Sequence, residues 1–386
     1  RRELMKMKKK IIVFRNQLFK KSEIFITQQS EAISEFDVVY MGRRCLGDPP
    51  EGAQVITINN GNSLPSKFNE VMNSITMNPR VYEKHLLDMS NVELIHSHFA
   101  IDAMCALPLA RNKSIPLVTT LHGFDVTTNK KAFLLSKSPS WINYYFFNKK
   151  LMSSGDKFIC VSDFIANTAI SKGFDENKII KHYIGIDVDR IQVRDKSEEQ
   201  QVILHVARLV EKKGTAILIS ALKRIIDKIG DYKLVIIGDG PLNIDLKKQV
   251  ISLGLEKNVL FLGAQDHNTV MQWMRKATMF VLPSITASTG DAEGLGMVLL
   301  EAGATGIPII GTNHGGIPEV IREGYNGFLI EERDVDSLAE RILFLIENST
   351  TRYDMGINAR NYVSRYFNIE VQTQKLEQVY KELING

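Results

Sequence analysis

The sequence predicts an α/β protein of two domains, each built on a mostly parallel sheet with helices on both faces. Three observations carry that expectation. Short β-rich runs alternate with longer helical segments, the rhythm breaks at one charged stretch near the middle and then restarts, and 386 residues exceed what one hydrophobic core usually organises.

The first half contains KIIVF (10–14), DVVYM (37–41), QVITI (54–58), VELIHSHF (92–99), PLVTTLHG (116–123) and DKFICVS (156–162). Most of these runs are rich in apolar and β-branched residues with little alternation, as strands covered on both faces require. The charged stretch DRIQVRDKSEEQ (189–200) reads as an interdomain linker. The rhythm then restarts with QVILHVARL (201–209), YKLVIIGDG (232–240), NVLFLGA (258–264), MFVLPS (279–284) and PIIGTN (308–313). From about Asp334 onward the pattern is helical, with an aromatic break at Tyr366 and Phe367 before a last helix. The expected domains are therefore 1–188 and 200–365, with no short-period repeat to suggest a solenoid.

Composition narrows the function classes. Hydrophobic residues at 44% and charged residues at 24% exclude disordered and collagen-like chains. A net charge of +4 is too slight to argue for nucleic acid, although clustered lysines would be drawn to an anionic lipid surface. Cys45, Cys105 and Cys160 lie far apart without the spacing of a zinc site, so a reduced, cytoplasmic setting is the simplest expectation. No apolar run reaches the roughly 18 to 20 residues that span a bilayer.

In open α/β sheets ligands collect beyond the carboxyl ends of strands, where loops enter helices. Four stretches there carry chemistry. In Glu293-Gly-Leu-Gly-Met-Val-Leu-Leu-Glu301, Gly294 and Gly296 let a phosphate or sugar approach backbone N–H groups at a helix start, and Glu301 is expected about two turns down that helix. Two surface glutamates on an ordinary amphipathic helix are the plainer reading. In HVARLVEKKG, Arg208 and Lys213 follow a strand and suit a diphosphate, with Gly214 entering the next helix; solvated loop charges are the alternative. VIIGDGPL carries Gly238 and Gly240 but lacks the third glycine of a dinucleotide fingerprint, so a tight turn beside a nucleotide fits better than a Rossmann cofactor. Gly315 and Gly316 in TNHGGIPEVI suggest a further close backbone approach or a plain turn.

Taken together, ARLVEKKG, GDGP, NVLFLG, VLPS, EGLGMVLLE, GIPII and GGIPEVI with GYNGFLI resemble, in order, the nucleotide-sugar half of retaining GT-B enzymes, glycosyltransferase family 4. The resemblance implies a GT-B fold of two facing Rossmann-like domains with an interdomain cleft, residues 366–386 packing back onto the first. It implies that Arg208 and Lys213 bind the diphosphate, Glu293 the transferred sugar and Glu301 the ribose. Gly238, Gly240, Leu262, Gly294, Leu295, Gly296 and Met297 complete the expected donor site, the base being met largely by backbone between Phe261 and Gln265.

The first half is similar to a branch that builds bacterial surface polysaccharides. SEIFI (22–26) resembles its SETFI opening, with Ile24 where Thr is usual, and LIHSHF and LHGFDV resemble later motifs. His122 matches the family's active-site histidine, so the catalytic set expected is His122, Glu293, Arg208 and Lys213. Ser22, Glu23 and Asp125 are the acceptor-side candidates, with Asp125 holding either His122 or the acceptor. Asp187 with Asp189, and His96 with His98, have metal-ligand spacing, but no metal or cofactor is expected, since Arg208, Lys213 and helix amides supply charge neutralisation.

The resemblance implies retention at the anomeric carbon, and the absence of an obvious nucleophile favours front-face transfer. The expected partners are a UDP- or GDP-sugar donor and a saccharide or lipid-linked saccharide acceptor, in capsule, exopolysaccharide or lipopolysaccharide synthesis. SWINYYFFNKKLM (140–152) beside Lys130, Lys131 and Lys137 adds peripheral contact with the inner face of the cell membrane, against the plainer reading of core aromatics. Two rival functions stay open: a nucleotide-sugar epimerase of the same fold, and a non-catalytic nucleotide- or carbohydrate-binding protein.

Overall fold

The computed structural model describes residues 8–59, 63–87 and 89–386. The chain divides into two compact units: one runs to Gly185 and is rejoined by Ile369–Gly386, the other is Ile186–Asn368.

The first unit carries a seven-stranded parallel sheet: β1 (Lys10–Phe14), β2 (Asp37–Gly42), β3 (Gln54–Thr57), β4 (Val92–His98), β5 (Leu117–Leu121), β6 (Lys157–Cys160) and β7 (Ile179–Lys181). Its strand order is β3-β2-β1-β4-β5-β6-β7. The second unit has six parallel strands: β8 (Val202–Val206), β9 (Lys233–Ile237), β10 (Val259–Gly263), β11 (Met279–Leu282), β12 (Ile309–Thr312) and β13 (Gly327–Ile330). Its order, β10-β9-β8-β11-β12-β13, repeats the first. Both sheets start in the middle, wind outward one way and return past the starting strand. That is the doubly wound Rossmann order, with a switch point beside the first strand of each sheet: β1/β4 and β8/β11. The apolar runs are strands for the anticipated reason. Ile11–Phe14 and Met279–Leu282 are wholly buried because helices cover both sheet faces.

The boundaries differ from the sequence reading. Residues 189–200 lie inside the second unit: the Arg194 N–H donates to Thr305 O at 2.9 Å, and Arg194, Glu199 and Arg352 form a largely buried charge chain with N–O distances of 2.9 and 2.5 Å. A charge-rich stretch resembles a linker in sequence because its partner Arg352 lies far downstream. The last helix, Ile369–Asn385, is part of the first unit. Its Leu376 and Tyr380 pack with Ile11, Leu94, Val118 and Ile159, and Glu377 accepts the N–H groups of Ser34 and Glu35 at 2.6 and 2.7 Å.

Candidate active site

In the second unit the expected donor residues gather at the β8/β11 switch point. Arg208 follows β8, is exposed, and forms no ion pair among the described residues. Lys213 ends a short turn, Glu211–Lys213, and Gly214 follows at φ +65°. A Cβ there would stand 1.8 Å from Pro283 O, so only glycine lets the loop after β8 cross the loop after β11.

That crossing brings Lys213 Nζ onto Glu293 Oε2. Burial alone would raise the Glu293 carboxyl; the Lys213 and Lys212 ammonium groups outweigh it and hold it at about 2. Lys212 itself pairs with Asp291 at 3.0 Å. The Glu293 backbone is equally fixed. Its N–H donates to His314 Nε2 at 3.1 Å, so His314 carries its proton on Nδ1 and donates it to Glu332 Oε1 at 2.7 Å. Gly316 N–H donates to Glu293 O at 3.1 Å, and a Cβ on Gly315 or Gly316 would come within 2.2 Å of the carbonyl of Glu293 or Gly294. The glycine pair read from sequence as a close approach therefore clasps the protein's own Glu293 loop. His314 and Glu332 were not singled out in the sequence; the two groups that His314 joins, Glu332 and the Glu293 N–H, lie 18 and 21 residues from it, beyond any local pattern.

Glu293 precedes the helix, which begins at Met297 after Gly296, so Glu301 stands about one turn along it, not two. In that first turn the Leu299 N–H is already given to Gly296 O at 2.8 Å, which leaves the Met297 and Val298 N–H groups at the positive end of the helix. Burial pushes the Glu301 carboxyl up to about 7, with His267 Nδ1 at 3.7 Å. Leu295 is buried beneath the loop. Gly238 and Gly240 press on the carbonyls of Ala207 and Leu209, bracing the Arg208 turn, and Leu262 O accepts from Gln265 Nε2 at 2.5 Å.

The first unit presents a second constellation at its own switch point, built on Arg15, which directly follows β1 and was not anticipated. Its guanidinium forms a two-point bridge with Glu23, both N–O distances 2.9 Å, bonds Asp102, and lies 4.4 Å over the Phe99 ring. Burial works against this cation; Asp102 and Glu23 more than restore it. Asp102 also accepts the Asn16 backbone N–H at 2.8 Å and its side-chain amide at 2.6 Å. Glu23 is thus an anchor for Arg15, while Ser22 is exposed beside it.

His122, just after β5, has its Nε2 3.0 Å from His98 Nδ1 and its ring 4.4 Å from Phe99. Burial, then Arg15 and His96, hold it well below the usual histidine range, so it is neutral at physiological pH. Asp125 spends its oxygens on backbone: Oδ1 accepts the N–H groups of His122 and Gly123 at 3.2 and 2.9 Å, and Oδ2 that of Ala100 at 2.9 Å. It fixes the His122 main chain, not the ring, and burial pushes it up to about 6. Phe99, between the two groups, sits at φ +69°, a strained conformation for a residue with a side chain.

Of the residues with metal-ligand spacing, His96, His98 and Asp187 have other partners. His96 uses both nitrogens, Nδ1 with Tyr380 OH at 2.5 Å and Nε2 with Thr120 Oγ1 at 2.7 Å. Asp187 pairs with Arg190 at 3.0 Å.

Comparison with known proteins agrees along most of the chain. The family model "Glycosyl transferases group 1" matches residues 189–362 and "Glycosyltransferase Family 4" matches 32–190. An uncharacterised glycosyltransferase of Methanocaldococcus jannaschii is 34% identical over 78% of each chain. The N-acetyl-alpha-D-glucosaminyl L-malate synthase of Bacillus anthracis is 30% identical over 76% of each. The amylovoran biosynthesis glycosyltransferase AmsK of Erwinia amylovora is 29% identical over 69% of this chain and 64% of its own. Among solved structures, Anabaena HepE in complex with UDP and glucose aligns with a TM-score of 0.75 over 97% of this chain and 100% of its own, at 19% identity, a likeness of fold.

Proposed function

The chain belongs to the group 1 and family 4 glycosyltransferases, a GT-B family with members in polysaccharide biosynthesis, and from that premise we propose that it moves a sugar from UDP or GDP to a saccharide or lipid-linked saccharide with retention. The supporting observation is the Lys213–Glu293 pair beside the open Arg208 at the head of the helix Met297–Thr305. With Lys213 already engaged by Glu293, Arg208 is the cation open to the diphosphate, and the helix amides meet its remaining oxygens. The bond from the anomeric carbon to the phosphate oxygen breaks, the acceptor oxygen bonds to the same face, and its proton leaves on the departing phosphate. Glu293, ionised throughout, stabilises positive charge on the sugar. His122, neutral, serves as a hydrogen-bond partner on the acceptor unit. Arg208 and the amides meet the leaving group directly, and Lys213 adds its positive charge from its place on Glu293, without a metal.

The test is binding and slow hydrolysis of UDP- and GDP-sugars in EDTA. One nucleotide sugar is expected to bind and turn over, and Arg208→Ala to lower kcat/KM by about 100- to 1,000-fold, the usual worth of one preorganised donor. Turnover only with added divalent metal would sink the metal-free scheme.

Glu301 gives a pH signature. If its carboxylate accepts ribose hydroxyls, donor binding needs it ionised, and its raised position near 7 makes the proton an opponent of binding below that pH. Affinity is expected to rise about tenfold per pH unit up to 7 and level off above about 8. Calorimetry in buffers of differing ionisation enthalpy should show a proton released near pH 6, and none for Glu301→Gln.

Membrane contact is proposed for the helix Pro139–Ser154, which buries Ser140, Tyr144 and Leu151 and exposes Phe146, Phe147, Lys149 and Lys150. The protein is expected to sediment with anionic vesicles at low salt and to stay in solution once Phe146 and Phe147 are changed to Ser. No sedimentation of the parent chain would end the idea.

A further inference from the structure

The first unit holds a cavity that the proposed transfer does not use. It measures about 430 Å³, within the roughly 300 to 1,000 Å³ of small-ligand sites. Lys130, Lys149, Lys172 and Lys178 line it from three separate parts of the chain: the helix Lys130–Leu135, the helix Pro139–Ser154 and the segment after the helix Asp163–Ser171.

Asp125 and Asp175 also line the cavity. Asp125 gives its oxygens to backbone N–H groups, and Asp175 caps the turn Glu176–Lys178. Neither pairs with these lysines: among the described residues none of the four is in an ion pair. Lys178 is pinned in the wall by the carbonyls of Ser153 and Gly155 at 2.8 and 3.0 Å. Tyr144 is 3% exposed, lines the same cavity, and makes no hydroxyl hydrogen bond among the described residues. The hydroxyl is not a sealed orphan: it faces the open cavity and is available to a ligand hydroxyl.

Lys130, Lys149 and Lys172 are each exposed to water, but their convergence on one cavity without carboxylate partners gives it a positive potential that favours an anion, and its volume exceeds what inorganic phosphate fills. Phe133 and Phe174, themselves buried, add apolar surface to the cavity wall. We propose that this cavity binds a phosphorylated monosaccharide, its phosphate among Lys130, Lys149 and Lys172 and a ring hydroxyl bonded to Tyr144. The site stands on its own residues and does not depend on the donor chemistry assigned to the second unit.

The test is titration calorimetry of the full chain with glucose 1-phosphate, glucose 6-phosphate, glucose and inorganic phosphate in 0.15 M salt. One sugar phosphate is expected to saturate a single site at least about tenfold more tightly than glucose or phosphate alone. Lys130→Ala with Lys149→Ala should weaken it by at least about tenfold, and Tyr144→Phe by severalfold without shifting thermal unfolding. Binding should persist in Arg208→Ala and with UDP saturating. Loss under either of those conditions would assign the ligand to the second unit and overturn the proposal, as would unchanged affinity in the double lysine variant. Phosphate binding as tightly as its sugar esters would reduce the site to an anion patch. Binding confined to phosphatidylinositol 4-phosphate vesicles, with both free esters inert, would replace the soluble ligand by a lipid headgroup.

Discussion

Replacing Glu293 by Gln is expected to lower turnover about 100- to 1,000-fold while nucleotide affinity stays within about threefold of the parent. The two side chains have the same shape, and Gln still offers Lys213 an oxygen, so the variant removes charge and little else. That charge matters most when the anomeric carbon turns positive. Because Lys213 and Lys212 hold the carboxyl at about 2, it is an anion at every working pH and acts as an electrostatic partner, not a proton donor. The linkage has a definite sign. A carboxyl lowered from 4.5 contributes stability that is complete above pH 4.5 and lost as the pH falls toward 2. Acid unfolding of Glu293→Gln should accordingly be less steep across that window. Steady-state kinetics at saturating donor, with UDP titrated by calorimetry, check the catalytic claim. Parent-like turnover would reduce Glu293 to a loop anchor, whereas lost nucleotide binding would mean that the variant disturbs the site as a whole.

Asp102→Ala should act on stability, lowering that of the first unit by about 3 to 5 kcal/mol, the usual effect of removing one partner from a buried ion pair. Arg15 and Asp102 are 7% and 3% exposed, so water cannot readily replace the lost carboxylate. The change strands one guanidinium nitrogen, the Asn16 N–H and the Asn16 amide together, while Glu23 keeps its two bonds to Arg15. For a unit of this size the midpoint should fall by roughly 6 to 20 °C. Differential scanning calorimetry, followed with nucleotide bound to stabilise the second unit separately, would detect it. A midpoint within about 2 °C of the parent would show that Glu23 alone carries Arg15.

The strands at the centre of each sheet were legible because two covered faces demand unbroken apolar runs such as IIVF and MFVL. At the sheet edges β3 and β10 were legible as well, but β7 and β13, at the opposite edges, were not. β7 is three residues, none fully buried, and β13 opens on Gly327, where a Cβ would meet Ile309 O at 2.0 Å. A short edge strand needs neither the length nor the apolar density that marks a central one. The same contrast governs the sites. Arg208, Lys213 and Glu293 follow strand ends that could be placed from pattern, and their types announce phosphate and sugar chemistry. Asp102 lies in the apolar helix Ala100–Lys113, 87 residues from Arg15, and nothing local distinguishes it from an ordinary first-turn acid. Asp125 was noticed through its motif, yet the groups it holds are backbone N–H donors, which every residue except proline supplies and no sequence pattern reveals.

The return of Ile369–Asn385 to the first unit also orders events during synthesis. Unit two, Ile186–Asn368, is complete in sequence before the helix that closes unit one has left the ribosome. Until then, His96 lacks Tyr380 and the N–H groups of Ser34 and Glu35 lack Glu377. The N-terminal half of the chain is therefore made first and finished last, and a protein truncated after Asn368 would carry a complete second unit and an unfinished first one.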